Sequence, residues 1–357
     1  MHLRKLPSGR WRAIVQHNGH KASVTATSQR EVKRLAAAKL IELGDLPAQR
    51  LTVEDMVALY LDNGRARWSP TTLESYQLLA VRLPDNLLAM QIADVNGRTL
   101  SVVYDQLVAD GMSPHTVRRV HSMLGAAWSV AHKWGYDNRN PVRAVTPPKP
   151  ESRSITPPTP EQLAALIEAA VEPQHRLFIE LAAMTGGRRG ELLALQWSDI
   201  NFDAGQIVIA RSITFTTQAR QSVRDTKTGA KGHRVIAVGD RLLSVLREHR
   251  VRQVEQALAS GLPEPVWVLS HDAGVTPWKP DYVTKWFGKL RNRLGFNTRV
   301  HDLRHFTATQ LLAAGVPLSQ VAGRLGHANV TTTAKTYAHF VQADDRQAAD
   351  IMDRLLG

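Results

Sequence analysis

Four short stretches of the 357-residue sequence gather side chains suited to chemistry on a phosphate. They are Thr185-Gly186-Gly187-Arg188-Arg189-Gly190-Glu191, Thr226-Lys227-Thr228-Gly229, His301-Asp302-Leu303-Arg304-His305, and Leu325-Gly326-His327 with Tyr337 ten residues further on. A guanidinium is always charged and offers planar, paired donors to nonbridging phosphate oxygens. Arg188 and Arg304 therefore suit neutralisation of a pentavalent phosphorane carrying extra negative charge. Imidazole titrates near neutral pH, so His301 and His327 can hydrogen-bond that phosphate and help take a proton from a hydroxyl. Tyr337 offers such a hydroxyl as nucleophile, and Glu191, three residues beyond Arg188, can orient its guanidinium. Plainer readings stand beside these: a surface ion pair of Arg188 or Arg189 with Glu191, and a core role for Tyr337. His301 and His305 are four apart, but the stretch is not His-Glu-x-x-His and has no carboxylate at the needed position, so no metal is expected. His305 is expected to pack in the first helical turn of a segment running from Phe306 to Ala314.

In the order of these elements the sequence resembles the tyrosine recombinase family, and phage-type integrases in particular. The shared pattern is Arg with Glu three residues on, a Lys on a β-hairpin, His-x-x-Arg, Leu-Gly-His, and Tyr about one helical segment later. Thr331-Thr332-Thr333 before Tyr337 and Ala338-His339 after it fit the same pattern. The catalytic part of the resemblance covers about residues 155–345. It implies that Tyr337 attacks a DNA phosphate to give a 3′-phosphotyrosine and a free 5′-hydroxyl. That link conserves bond energy, so a strand can be rejoined without ATP or any cofactor. It also implies that Lys227 protonates the departing 5′-oxygen, with a pKa lowered by nearby arginines. Lys231, four residues on in the same polar loop, is the alternative.

The elements that must carry these residues are legible from caps, prolines and charge. Residues 1–50 hold 10 Lys/Arg against 3 Asp/Glu, residues 51–145 hold 9 against 9, and residues 146–357 hold 26 against 20. In the first block an Asn18-Gly19 pair between alternating runs signals a hairpin, and Ser28 stands as an N-cap before a helical stripe. This reads as a small basic sheet plus one helix, either a DNA-reading module or a basic surface with no specific partner; the resemblance implies an arm-type DNA-binding domain in which Arg10, Trp11, Arg12 and Lys21 contact DNA. Residues 51–145 read as a four-helix bundle, its starts marked by Thr52, Ser69-Pro70 and Ser113-Pro114, with Arg118 and Arg119 on a basic face; the resemblance implies a core-binding domain, an inert helical adaptor being the alternative. Seven prolines between Pro141 and Pro160 make residues 146–160 an extended linker. Residues 161–342 read as a mixed, mostly α catalytic domain, with a small antiparallel sheet between about 206 and 238. Ala348, Ile351, Met352, Leu355 and Leu356 form an apolar stripe at 343–357 that needs a groove. The fold class is thus multidomain, mainly α with small β-sheets.

A formal charge of +13 and a pI near 10.2 point to a polyanionic partner. No apolar run approaches the ~20 residues a membrane-spanning helix needs, and no signal-peptide pattern opens the chain. With no cysteine, disulfides and thiolate chemistry are excluded. The resemblance implies double-stranded DNA as partner, at core-type and arm-type attachment sites, and a homotetramer in which the terminal stripe docks on a neighbour, docking on its own domain being the alternative. It further implies a host DNA-bending protein, a directionality factor (excisionase), and a place in the bacterial cytoplasm with the nucleoid. A type IB topoisomerase and a catalytically idle DNA-binding regulator are the competing readings.

Overall fold

The computed structural model of the chain describes residues 2–17, 20–29, 31–33, 35–36, 51–137, 139–151, 156–217, 220–225, 232–327, 329–341 and 352–354. The fold is mainly helical with small antiparallel sheets. Two compact units, Met1–Ser152 and Arg153–Gly357, meet within the proline-rich stretch.

The first unit opens with an antiparallel sheet of β1 (His2–Lys5), β2 (Trp11–His17) and β3 (His20–Ala26), in that order. Successive strand side chains point to opposite faces, so Ala13 and Val15 are fully buried while Arg12 and Ile14 are exposed. Pairing extends to His17 and His20, and the expected Asn18-Gly19 turn lies outside the described residues. Ser28 acts as the expected cap, its Oγ accepting from the Glu31 backbone N–H at 3.1 Å. Four longer helices follow: α1 (Val53–Arg65), α2 (Pro70–Ala80), α3 (Gly97–Ala109) and α4 (Pro114–Lys133). Thr52, Ser69, Asn96 and Ser113 cap them, and each such cap is worth about 1 kcal/mol. Their apolar faces close over Met56, Leu100, Tyr104, Leu124 and Trp128.

In the second unit α5 (Pro160–Ala169) starts at the Thr159 capping box, and α6 (Pro173–Thr185) stops at Gly186, whose left-handed φ of 65° suits a residue without a Cβ. The short α7 (Arg189–Leu193) leads into β4 (Ile200–Asn201) and β5 (Gln206–Ile209). Next come β6 (Arg211–Thr216), β7 (Arg220–Asp225) and β8 (Arg234–Ala237). β5 pairs with β8, as expected, and also with β4, which lies ahead of the expected sheet, while β6 and β7 form a second, separate hairpin within the polar stretch. Then α8 (Asp240–Ala259), α9 (Pro280–Arg293), α10 (Val300–Ala313), α11 (Leu318–Leu325) and α12 (Val330–Val341) complete the unit. Phe178, Leu181, Ile207, Ile236, Trp278, Phe287 and Leu303 are buried in its core.

One boundary differs from expectation. The helix expected from Phe306 begins at Val300, because Asp302 Oδ2 accepts from the Arg299 backbone N–H at 2.7 Å and caps an earlier turn. His301, Arg304 and His305 therefore share one helical face at spacings of three and four residues. Of the terminal apolar stripe, only Met352 falls among the described residues.

Candidate active site

The end of α6, the start of α7, β8, the first turns of α10 and the turn after α11 come together in the second unit. Arg188 sits at the N-cap of α7. Its backbone N–H donates to Glu191 Oε2 at 2.9 Å, its Nη1 to Glu191 Oε1 at 2.7 Å, and its Nη2 to the Gly326 carbonyl at 3.3 Å. Glu191 is thus buried against Arg188 rather than paired at the surface, and Arg189 turns away to donate to Thr284. Burial pushes the Glu191 carboxyl up, but hydrogen bonds and charge from Arg234 and hydrogen bonds from Arg188 outweigh it and hold the group below its ordinary value.

Arg304 is 3% exposed and donates from Nη1 to the Gly186 carbonyl at 2.7 Å. Its Nη2 is buried without a hydrogen-bond partner among the described residues. Burial, then the neighbouring Arg188 and Arg234 charges against that of Glu191, brings its pKa down to about 9. A desolvated cation among other cations, with a spare donor, is prepared for an anion.

His301 and His305 meet edge to face, ring centroids 4.9 Å apart, and His305 Nδ1 lies 2.5 Å from the Tyr337 hydroxyl. Tyr337 on α12 is only 2% exposed, packed with Ala308, Val321 and Leu325. Burial pushes its pKa up to about 12, against the pull of Arg304. Burial and the charge of His301 bring His305 down to about 4. His327 follows Gly326 in the turn after α11, its Nδ1 2.7 Å from Thr333 Oγ1. Burial with the Arg304, Arg188 and Arg234 charges brings it, too, to about 4. His301 is exposed, and its pKa is lowered by desolvation and by Arg304. All three imidazoles are therefore neutral at pH 7, able to accept as well as donate.

Residues 158–343, just over half of the chain, match the phage integrase family. The chain belongs to this family of tyrosine recombinases. Among its relatives is the XerC-like tyrosine recombinase of Caldanaerobacter subterraneus subsp. tengcongensis, 28% identical over 75% of this chain and 73% of the relative. The ICEBs1 integrase of Bacillus subtilis is 24% identical over 93% of this chain and 91% of its own length. The fold is that of the Tn1549 transposon integrase solved with a circular intermediate DNA, with a TM-score of 0.73 and 21% identity over 85% of this chain and 99% of that one. A lambda integrase dimer bound to a core site shares it at a TM-score of 0.62 and 18% identity, covering 94% and 93%.

Within this integrase-family chain the structure brings Arg188, Glu191, His301, Arg304, His327 and Tyr337 into one region. Lys227 and Lys231 lie between β7 and β8, outside the described residues. Sequence reasoning missed two participants. His305 packs in the interior as expected, 8% exposed, and in doing so meets the Tyr337 hydroxyl, a contact signalled only by its place one helical turn after His301. Arg234, 7% exposed in its side chain, reaches Glu191 Oε2 at 2.7 Å and had no local signal.

The residues expected to grip DNA in the first unit fall on different surfaces. Arg10 and Arg12 are exposed, Arg12 opposite Arg4 on β1. Like charges facing across strands repel, and an anion laid on that face relieves them. Trp11, by contrast, packs against the small core with Leu3 and Val24, because it shares the inward face with Ala13 and Val15. The side chain of Lys21 is outside the described set. Arg118 and Arg119 are both exposed on α4, Arg119 donating to Ser75 of α2. Among the described residues no helix is long and apolar enough to cross a membrane.

Proposed function

We propose that the chain is a site-specific DNA integrase that cuts and rejoins strands through a 3′-phosphotyrosine. The observation carrying this reading is the buried, unpartnered Nη2 of Arg304 beside Arg188, with neutral imidazoles between these cations and Tyr337. Arg188 and Arg304 take the nonbridging oxygens of the scissile phosphate, and His301 and His327 hydrogen-bond it as neutral groups. The Tyr337 oxygen attacks phosphorus as its proton passes to a neighbouring base, the P–O5′ bond breaks, and Lys227 protonates the departing 5′-oxygen. A 5′-hydroxyl from the partner site then attacks the phosphotyrosine, restoring one phosphodiester and the free tyrosine. One P–O bond forms and one breaks in each step, so no ATP is consumed.

Exchange between two sites needs four such centres. A lambda integrase solved as a tetramer on a Holliday junction shares this fold at a TM-score of 0.62. We carry that arrangement to this chain as a homotetramer passing through a four-way junction, its terminal apolar stripe docking on a neighbour. Residues 51–145 and 161–342 hold core sites, while the basic sheet of residues 1–50 holds arm sites. A host DNA-bending protein and an excisionase-type directionality factor complete the assembly in the bacterial cytoplasm.

The test is covalent capture on nicked duplexes with randomised sequence around the nick. Mass spectrometry should place the strand on Tyr337, and the captured DNA gives the core site. Adducts on another residue, or undiminished capture by Tyr337→Phe, would sink the reading.

A further inference from the structure

Arg234 opens β8 and spends its guanidinium in three directions. Nη2 donates to Glu191 Oε2 at 2.7 Å, Nε to the Arg324 carbonyl at 2.7 Å, and Nη1 to the Gly232 carbonyl at 3.2 Å. The other Glu191 oxygen holds Arg188 Nη1 at 2.7 Å, and Arg188 Nη2 reaches the Gly326 carbonyl at 3.3 Å. A closed circuit results: Arg234 to Glu191, Glu191 to Arg188, Arg188 to Gly326, and two residues of chain back to the carbonyl that Arg234 holds. Gly326 has a left-handed φ of 67°, and a Cβ added there would stand 2.7 Å from Arg234 Nη1. The turn presenting His327 is therefore shaped around this guanidinium.

A buried ion pair is by itself a weak stability device, often replaceable by apolar groups. What apolar groups cannot replace is a planar fork that fixes a carboxylate and carbonyls from separate segments at once. We propose that Arg234 is a positioning residue for strand cleavage: through Glu191 and the Arg324 carbonyl it locks Arg188 and the Gly326–His327 turn into one unit, so that both meet the same phosphate. The proposal rests on the integrase reading above.

The test uses the full chain, the captured core site and single-turnover adduct formation on three scissile linkages. These are the ordinary phosphodiester, a methylphosphonate lacking one nonbridging charge, and a 5′-bridging phosphorothiolate whose leaving group needs no proton. No adduct from the unchanged chain on the phosphodiester overturns the integrase reading, and the proposal with it. Given that adduct, Arg234→Gln should slow phosphodiester cleavage by about 10²-fold with duplex affinity held within about threefold. The deficit should shrink to within about fivefold on the methylphosphonate, where less charge depends on Arg188, and persist on the phosphorothiolate. Arg234→Lys, which keeps the charge but not the fork, should remain nearly as slow as Arg234→Gln. Full recovery by lysine would overturn positioning in favour of simple charge. A deficit equal on all three linkages with lost duplex affinity would make Arg234 merely structural, and one abolished by the phosphorothiolate would place its effect on the proton donor. Cleavage of the phosphodiester by Arg234→Gln within about threefold of the unchanged rate would remove it altogether.

Discussion

The Tyr337 hydroxyl and His305 Nδ1 stand 2.5 Å apart in the protein interior, one helical turn along α10 from His301. A phenol raised to about 12 faces an imidazole lowered to about 4, so at neutral pH the pair shares one hydrogen bond between uncharged groups. With the tyrosine 2% exposed, the attack on a DNA phosphate that we propose requires α12 or its surroundings to shift.

His305→Ala removes the imidazole that meets the Tyr337 hydroxyl, the nucleophile of the proposed reaction. Single-turnover adduct formation should fall by about 10- to 100-fold, toward the low end of general-base contributions. Cleavage at the unchanged rate would take His305 out of the proton path.

Two imidazoles of the site, His305 and His327, set an acid limit on stability. His305 and His327 have folded values of about 4 against an ordinary 6.5. Between these values the unfolded chain binds protons that the folded chain refuses, so stability is full above about 6.5 and is lost as pH falls toward about 4. Thermal melts across that window should show a falling midpoint, with a shallower fall for His305→Gln. Equal slopes would mean that His305 is not linked to folding.

Gly326→Ala should damage both fold and site. Adopting a left-handed φ costs an alanine about 1–2 kcal/mol, and its Cβ would also displace Arg234. Gly315→Ala is the control, since Gly315 has φ 79° with nothing within 4 Å of an added Cβ. Denaturant midpoints and adduct rates should fall further for Gly326→Ala; matching losses would deny the contact with Arg234.

Lys227→Ala should abolish cleavage of ordinary DNA and regain it on the 5′-bridging phosphorothiolate, while Lys231→Ala cleaves both. The reverse pattern would move the general acid to Lys231.

On α4, Arg118→Ala should lower duplex affinity and reduce the slope of log affinity against log salt by about 1, the signature of one lost phosphate contact. An unaltered slope would leave Arg118 as a solvated charge.

What could be read ahead of the structure was local. Ser69-Pro70, Ser113-Pro114 and Thr159-Pro160 announce helix starts because cap and proline act within one turn. Arg188, Arg304, His327 and Tyr337 were legible because their types and order match a known pattern. Arg234 was not: its partners Glu191 and Arg324 lie 43 and 90 positions away, and nothing nearby separates it from other arginines. Trp11 stands among the residues expected on DNA, and strand alternation puts it against the small core with Ala13 and Val15, a placement set by pairing rather than by its neighbours in sequence. His305 packs in the interior as expected, but its contact with Tyr337 was not legible because the helix starts six residues earlier than its pattern suggests, which sets His305 one turn after His301.

The bonds from Arg304 to the Gly186 carbonyl and from Arg188 to the Gly326 carbonyl span 118 and 138 positions. Contacts of such sequence separation are made late in folding, after the loops between them have closed. A partly folded chain can hold its helices and its positive charge, and so cling to DNA, while having no assembled blade. Under the integrase reading, the capacity to sever a chromosome arrives only with the completed fold.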